Sequence, residues 1–130
     1  MSNSHEKMFP VFLAGEVVHG KALGRTVGMP TANIKVCDES LLPECGVYAT
    51  RIKVGEETYL AVTNIGLRPT VDNEQHVTVE AHILDFDQDI YGKSVELEVH
   101  KFLRPIQKFD SLEDVLNQVK KDIEEAKQWL

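Results

Sequence analysis

Hydrophobic and polar residues alternate through much of the first 102 residues, and this period of two is typical of half-buried β-strands. Six segments show the alternation or are rich in β-branched residues: 11–19, 32–36, 46–54, 58–66, 76–84 and 94–102. The short turn "GEE" separates the third segment from the fourth, which predicts a β-hairpin. No helical period lies between the strands, so an alternating βαβ fold is excluded.

The period changes after the last strand. Apolar residues now recur at helical spacing, and we expect them to form the buried stripe of an amphipathic helix: Leu112, Val115, Leu116, Val119, Ile123 and Ala126. Asp110 or Ser111 is placed to cap the start of this helix, with Glu113 or Asp114 completing a capping box. The helix is predicted over residues 111–130.

These elements predict a mainly-β fold, a six-stranded antiparallel Greek-key barrel with the C-terminal helix packed against it. We expect residues 1–10 to form an N-terminal extension and residues 11–130 to form the barrel domain with its helix. At 130 residues the chain is long enough for one hydrophobic core.

Composition narrows the classes of partner. The formal net charge of −7 argues against a general nucleic-acid-binding protein, and no apolar run is long enough for a membrane span. Cys37 and Cys45 lie eight residues apart, which matches no metal or redox motif, so we expect reduced thiols. We therefore predict a cytoplasmic monomer without nucleic-acid or membrane partners.

The stretch "GKALGRTVGMPTAN", residues 20–33, concentrates the candidate chemistry. Glycines allow backbone N–H groups to approach a ligand closely, and two cations add local positive charge to an acidic chain. The residues concerned are Gly20, Lys21, Gly24, Arg25 and Gly28. A phosphate-binding loop and a surface loop with incidental cations both fit this composition.

Three apparent motifs do not hold. From Gly15 the sequence approaches a P-loop, but Ala22 stands where Ser or Thr must bind Mg²⁺. The acidic loop that starts at Asp85 resembles an EF-hand loop, but Ile90 replaces the glycine of its sharp turn. His76 and His82 lie six residues apart on one strand, too far to share a metal ion.

Thr31 and Asn33 alternate at the start of a strand, so both side chains point to the same face. A hydroxyl and an amide carbonyl are hard oxygen ligands, which suit Mg²⁺ together with phosphate oxygens and water. The same residues also suit hydrogen bonds within a turn. These alternatives stay open from the residues themselves.

The segment "GEVVHGKALGRTVGMPTAN" resembles the signature of the riboflavin kinase (flavokinase) family. The resemblance continues in order through "LPECGVYAT", "NIGLRPT", "VEAHILDFDQDIYGK" and "FLRPIQKFDSLEDVLNQVKKDIEEAK", and so covers about residues 13–128. The family implies a six-stranded Greek-key barrel with a C-terminal helix. It also implies an Mg-ATP-dependent phosphorylation of riboflavin to FMN, with Mg²⁺ or another divalent metal and ATP as phosphate donor.

The resemblance further implies roles for individual residues. The glycine segment would lie over the nucleotide phosphates, and Thr31 and Asn33 would bind the metal and those phosphates. Glu80 would be the catalytic carboxylate, although an exposed strand glutamate is an ordinary alternative. Tyr91 would lie by the nucleotide. On the flavin side the resemblance implies Arg104, and we add Phe109 as a candidate for the ring pocket.

Two departures from the family pattern fall on the acceptor side. Ile106 stands where relatives often carry Glu after "LRP", and "RPTVDN" replaces a more usual aromatic-glycine continuation. The resemblance covers the kinase module alone, without the adenylyltransferase domain of bacterial bifunctional relatives, so the product expected of these residues is FMN, whether they form a stand-alone enzyme or an excised domain. The alternative function is a non-catalytic barrel that binds flavin or nucleotide as a sensor or interaction module; joint retention of Thr31, Asn33 and Glu80 favours the enzyme.

Overall fold

Six antiparallel strands close into a barrel in a computed structural model that describes residues 9–18, 31–69, 75–86 and 89–129. The elements follow the order β1 (Val11–Val18), β2 (Thr31–Val36), β3 (Gly46–Val54), β4 (Glu57–Pro69), β5 (Gln75–Ile83), β6 (Ser94–Arg104) and the helix α1 (Leu112–Trp129). A short 3-10 helix, Glu39–Leu41, lies between β2 and β3. The mainly-β fold with one C-terminal helix is confirmed.

The order of strands around the barrel is β1-β2-β5-β4-β3-β6. Strands β3, β4 and β5 follow one another as neighbours, and β6 returns to pair with β3, which is the Greek-key arrangement. Strand β6 also pairs with β1, and β2 pairs with both β1 and β5. Because every strand has two neighbours, the barrel leaves no open sheet edge.

The predicted hairpin of β3 and β4 is confirmed. Its turn contains Gly55 with φ of +63°, a left-handed conformation that glycine adopts without the steric cost of a Cβ atom. From this turn the register runs from Val54 opposite Glu57 to Gly46 opposite Ile65. This long register determines which residues of β3 and β4 face outward.

The alternation read from the sequence separates the barrel interior from its outer surface. Interior side chains from all six strands form one apolar core, whose members include Leu13, Ile34, Ile52, Ile65, Val79, Leu97 and Val99. Two buried hydroxyls, those of Thr50 and Thr63, lie 2.8 Å apart inside the barrel, and Thr50 also donates to the Ala61 carbonyl at 3.0 Å. These bonds remove the cost of burying unpaired polar groups.

Helix α1 covers part of the outer surface. Ala126 is fully buried against Val47, Ala49 and Val62 of β3 and β4, with Ile123 packed beside them. The cap is formed by Ser111, whose Oγ accepts from the Asp114 backbone N–H at 3.1 Å. This outer apolar cluster joins the helix to the barrel.

The predicted apolar stripe of α1 is wrong at its first position. Leu112 is 53% exposed, whereas Val115 and Leu116 are partly buried and Val119 is buried. The stripe therefore meets the barrel from Val115 onward, and the first turn serves as a capped end. Within the described ranges, no helix combines the length and the apolar character that crossing a bilayer requires.

Tyr48 joins the core to the loop before β3. Its ring is 1% exposed and meets Phe102 edge-to-face at 5.4 Å between centroids, and its hydroxyl donates to the Glu44 carbonyl at 2.6 Å. Burial, together with the negative charge of Glu44, raises the pKa of the Tyr48 hydroxyl to about 12 from 10.0. The protonated form is thus strongly favoured in the folded chain.

We expect Tyr48→Phe to lower the free energy of unfolding at pH 8 by about 1 kcal/mol, because one buried hydrogen bond is lost. As pH rises from 10 towards 12, only unfolded Tyr48 releases its proton, so the stabilising contribution of the hydroxyl is progressively lost. The difference between wild type and variant should therefore shrink between pH 8 and pH 11 in urea unfolding monitored by circular dichroism. A constant difference in the free energy of unfolding across this range would contradict a raised pKa for the Tyr48 hydroxyl in the folded chain.

Candidate active site

Cross-strand pairing places three of the predicted site residues, Asn33, Glu80 and Arg104, in one row on the outer face of the barrel. Asn33 of β2 lies opposite Glu80 of β5, and Glu80 lies opposite Asn64 of β4. The row continues through Val47 of β3 to Arg104 at the end of β6. Residues directly opposite one another in an antiparallel pair have Cβ atoms about 5 Å apart and share a face.

A second row runs two residues along from the first. Thr31 lies opposite His82, and His82 lies opposite Val62. Val62 belongs to the cluster under α1, so the outer face changes from polar on β2 and β5 to apolar beneath the helix. The hydroxyl, amide and carboxylate predicted to act together therefore lie on neighbouring strands, at the border of the helix-covered surface.

Strands β1 and β2, which flank residues 19–30 in the sequence, pair at this place. Val18 at the end of β1 pairs with Asn33. Tyr91 lies in the turn before β6, which is tied to the same end of β1 because the Gly92 N–H donates to the Val17 carbonyl at 2.9 Å. Tyr91 is 51% exposed. The predicted phosphate-binding residues Gly20, Lys21, Gly24, Arg25 and Gly28 lie outside the described residues.

His82 connects β5 to the start of β2. Its Nδ1 atom lies 3.2 Å from the Thr31 hydroxyl. Burial lowers the pKa of the His82 imidazole below its usual 6.5, and the negative charge of Asp122 opposes this effect. The local sequence pattern does not predict the contact between His82 and Thr31, because the two residues are 51 positions apart.

Asp122 of α1 is the other missed residue. It is 2% exposed and is the single buried charged side chain within the described part of the chain. Its carboxylate accepts two hydrogen bonds from Arg104, from Nε at 2.9 Å and from Nη2 at 2.8 Å, and a third from Gln118 at 3.1 Å. Its spacing from Val119 and Ala126 places it on the apolar stripe, which was the available signal in the sequence.

Arg104 therefore links the barrel, the helix and the segment between them. Besides Asp122, its Nη1 donates to the Pro105 carbonyl at 3.2 Å, and its guanidinium carbon lies 5.8 Å from the Phe109 ring centroid. The predicted pair of Arg104 and Phe109 thus comes together in space. The structure brings Arg104 into the same row as Glu80, two strands beyond Asn64.

Ile106 belongs to the segment between β6 and α1 and lies close to Gly66 of β4. A Cβ atom added to Gly66 would come 3.1 Å from the Ile106 Cδ1 atom, so the two residues are in close contact. Ile106 is 50% exposed and Leu67 is 52% exposed. The departure from the family pattern at Ile106 therefore leaves an exposed apolar side chain beside the end of β4.

The donor atoms at the β2–β5 border are all oxygens apart from the His82 imidazole. Thr31, Asn33 and Glu80 offer a hydroxyl, an amide carbonyl and a carboxylate, which are the ligand types that Mg²⁺ takes. No group of three or more His, Cys, Asp or Glu side chains suited to a metal occurs among the residues that the structure describes. The donor set fits a hard cation that takes its remaining ligands from phosphate and water.

The sequence profile described as Flavokinase, riboflavin kinase, matches residues 7–130. A bifunctional riboflavin kinase/FMN adenylyltransferase of Listeria monocytogenes is 40% identical over 119 residues, which cover 92% of this chain and 38% of that protein. The chain thus spans well under half the length of this relative.

Two solved structures have similar folds. A riboflavin kinase from Trypanosoma brucei has a TM-score of 0.66 and 28% identity, covering 95% of this chain and 82% of its own. A Streptococcus pneumoniae protein described as a macrolide-efflux protein has a TM-score of 0.87 and 37% identity, covering 93% of this chain and 40% of its own.

We expect Asp122→Asn to lower the free energy of unfolding by roughly 3 kcal/mol, because it leaves the largely buried Arg104 guanidinium without its counter-charge. Urea unfolding followed by circular dichroism measures this loss. Glu96→Gln is the matched control, since the Glu96 carboxylate lies 4.0 Å from Lys53 in an exposed ion pair. The control should change stability by less than about 1 kcal/mol. Equal effects of the two substitutions would contradict the structural role of the Asp122–Arg104 pair.

Proposed function

Because the chain belongs to the riboflavin kinase family, we propose that it transfers the γ-phosphoryl group of ATP to the primary hydroxyl of the riboflavin ribityl chain. The products are FMN and ADP. One observation carries the proposal: the β2–β5 register sets Asn33 directly opposite Glu80, with Thr31 two residues along on the same face. A carboxylate beside two neutral oxygen ligands offers a general base and a metal site, two of the parts that recur in enzymes of phosphoryl transfer.

Glu80 is the proposed general base. The ribityl oxygen forms a bond to the γ-phosphorus while the bond from that phosphorus to the β,γ-bridging oxygen breaks. The hydroxyl proton passes to the Glu80 carboxylate, and ADP leaves with the bridging oxygen. Proton transfer of this kind contributes about 10²- to 10⁴-fold to the rate.

Thr31 and Asn33 are the proposed protein ligands of a divalent metal, with Mg²⁺ favoured by their hard oxygens. Such an ion, when bound, neutralises charge on the nucleotide phosphates. Gly20, Lys21, Gly24, Arg25 and Gly28 are proposed to hold those phosphates through backbone N–H groups and positive charge. Tyr91, near the end of β1, is proposed to lie beside the nucleotide.

Arg104 and Phe109 are the proposed acceptor-side residues. Their mutual contact and the bond from Arg104 to the Pro105 carbonyl order the start of the segment between β6 and α1. The exposed side of Ile106 adds an apolar surface suited to a flavin ring. A cytoplasmic monomer without a nucleic-acid partner stays a prediction from charge and composition.

We expect Glu80→Gln to reduce FMN formation at least about 100-fold, because the amide cannot accept the hydroxyl proton. Mg-ADP binding should change by less than about threefold, since the phosphate and metal contacts remain. Incubation with riboflavin, ATP and Mg²⁺, followed by chromatography of FMN, measures the first quantity, and isothermal titration calorimetry measures the second.

Glu96→Gln is the control for this experiment. Glu96 is an exposed glutamate of β6, which lies three strands away from β5 in either direction around the barrel. It should form FMN at the wild-type rate. Wild-type turnover in Glu80→Gln would rule out Glu80 as the base. Riboflavin binding by the wild-type chain without any FMN would favour the non-catalytic alternative.

Asn33→Ala is expected to weaken Mg-ADP binding by about tenfold and to raise the KM for ATP to a similar extent, because one metal ligand is removed. Asn117→Ala, on the exposed side of α1, is the control and should leave both quantities unchanged. Unchanged Mg-ADP affinity in Asn33→Ala, measured by calorimetry, would remove Asn33 from the metal site.

A further inference from the structure

The contact between Thr31 and His82 has a consequence for the proposed metal site. The two residues are direct cross-strand partners, and the Thr31 hydroxyl lies 3.2 Å from Nδ1 of His82. His82 is partly buried on the outer face, between β2 and the region covered by α1. The imidazole therefore lies beside the hydroxyl, within hydrogen-bond distance of it.

A hydroxyl that coordinates a cation must direct its lone pairs towards that cation. Its proton then has to point away and needs an acceptor. An imidazole nitrogen without a proton supplies such an acceptor while the other ring nitrogen carries the hydrogen. Groups that orient metal ligands in this way typically change metal affinity by about 10- to 100-fold when they are removed.

The neighbouring cross-strand pair, Asn33 and Glu80, supports a role for His82 in orienting the Thr31 hydroxyl. Strand β5 presents Glu80 opposite Asn33 and, two residues later, His82 opposite Thr31, so each proposed metal ligand of β2 has a polar partner on β5. A threonine side chain in a strand has more than one accessible rotamer. A hydrogen bond to a fixed partner selects one of them.

We propose that His82 is a positioning residue: its Nδ1 accepts the Thr31 proton and holds the Thr31 oxygen towards the cation and phosphates of the bound nucleotide. This inference rests on the proposed function, because it assumes that Thr31 is a metal ligand. His82 itself contacts neither substrate nor metal in this role.

Two substitutions separate positioning from packing. In His82→Asn the amide takes a position close to that of Nδ1, whereas in His82→Gln it takes a position close to that of Nε2. Titration calorimetry with Mg-ADP should show binding weakened about tenfold or more in His82→Gln, and within about threefold of wild type in His82→Asn. The KM for ATP should follow these changes, while the KM for riboflavin stays within about twofold.

A double-mutant cycle gives a second test that does not depend on either single variant alone. Thr31→Val removes the hydroxyl, and in that background His82→Gln should change Mg-ADP affinity by less than about twofold. An additive effect of the two substitutions would overturn the proposal, because His82 would then act without Thr31. Circular dichroism and thermal unfolding establish that each variant is folded.

The remaining outcomes are equally decisive. Wild-type Mg-ADP affinity in both His82 variants would overturn the proposal, and so would an equal loss in both, since a packing role gives that result. If wild type binds Mg-ADP but forms no FMN, the proposed function fails, while the calorimetric comparison still decides the role of His82. Failure of His82→Asn to restore binding, with His82→Gln weakened, would also overturn it.

Discussion

The antiparallel register between β2 and β5 decides which side chains meet at the candidate site. It pairs Asn33 with Glu80 and Thr31 with His82, two contacts between residues about 50 positions apart in the chain. Side chains alternate between the two faces of a strand, so a slip of one residue would turn Glu80 into the barrel and bring an apolar side chain out. The buried Val79 and Ala81 oppose such a slip, because it would expose them.

Barrel closure extends this arrangement across five strands to Arg104. The row passes beneath α1, where Val47 packs in the outer apolar cluster, and ends at the ion pair of Arg104 with Asp122. The helix is thereby attached by apolar burial on one side and by paired charges on the other. This attachment also holds the segment between β6 and α1, which carries the proposed acceptor-side residue Phe109.

Much of the fold was accessible from the sequence because both of its periods are local. Alternation or β-branched composition predicts each of the six strands, as with Val95, Leu97 and Val99 inside and Glu96 and Glu98 outside, and the change to helical spacing predicts α1. The family resemblance pointed to Thr31, Asn33 and Glu80, and the register brings these three together. Their chemical roles stay predictions.

Long-range contacts were harder to predict. Nothing near His82 in the sequence indicates that it meets Thr31, because that contact follows from the pairing of β2 with β5 across 51 residues. Asp122 was missed since a carboxylate within an apolar stripe reads as an exposed residue unless its partner Arg104 is known. Leu112 is exposed although it follows the helical spacing of the apolar stripe. Spacing predicts the face of a helix that is buried, but not the turn at which the helix first contacts the barrel.

The claim that the β2–β5 border binds the nucleotide and lies beside the flavin is tested most directly by NMR. Backbone amide shifts would be recorded for the ¹⁵N-labelled chain before and after adding Mg-ADP and FMN. Among the described residues, we predict the largest changes at 31–34, 80–82 and 104–109, with the β3–β4 turn at Gly55 unchanged. Saturable binding that leaves residues 31–34 and 80–82 unperturbed would contradict it.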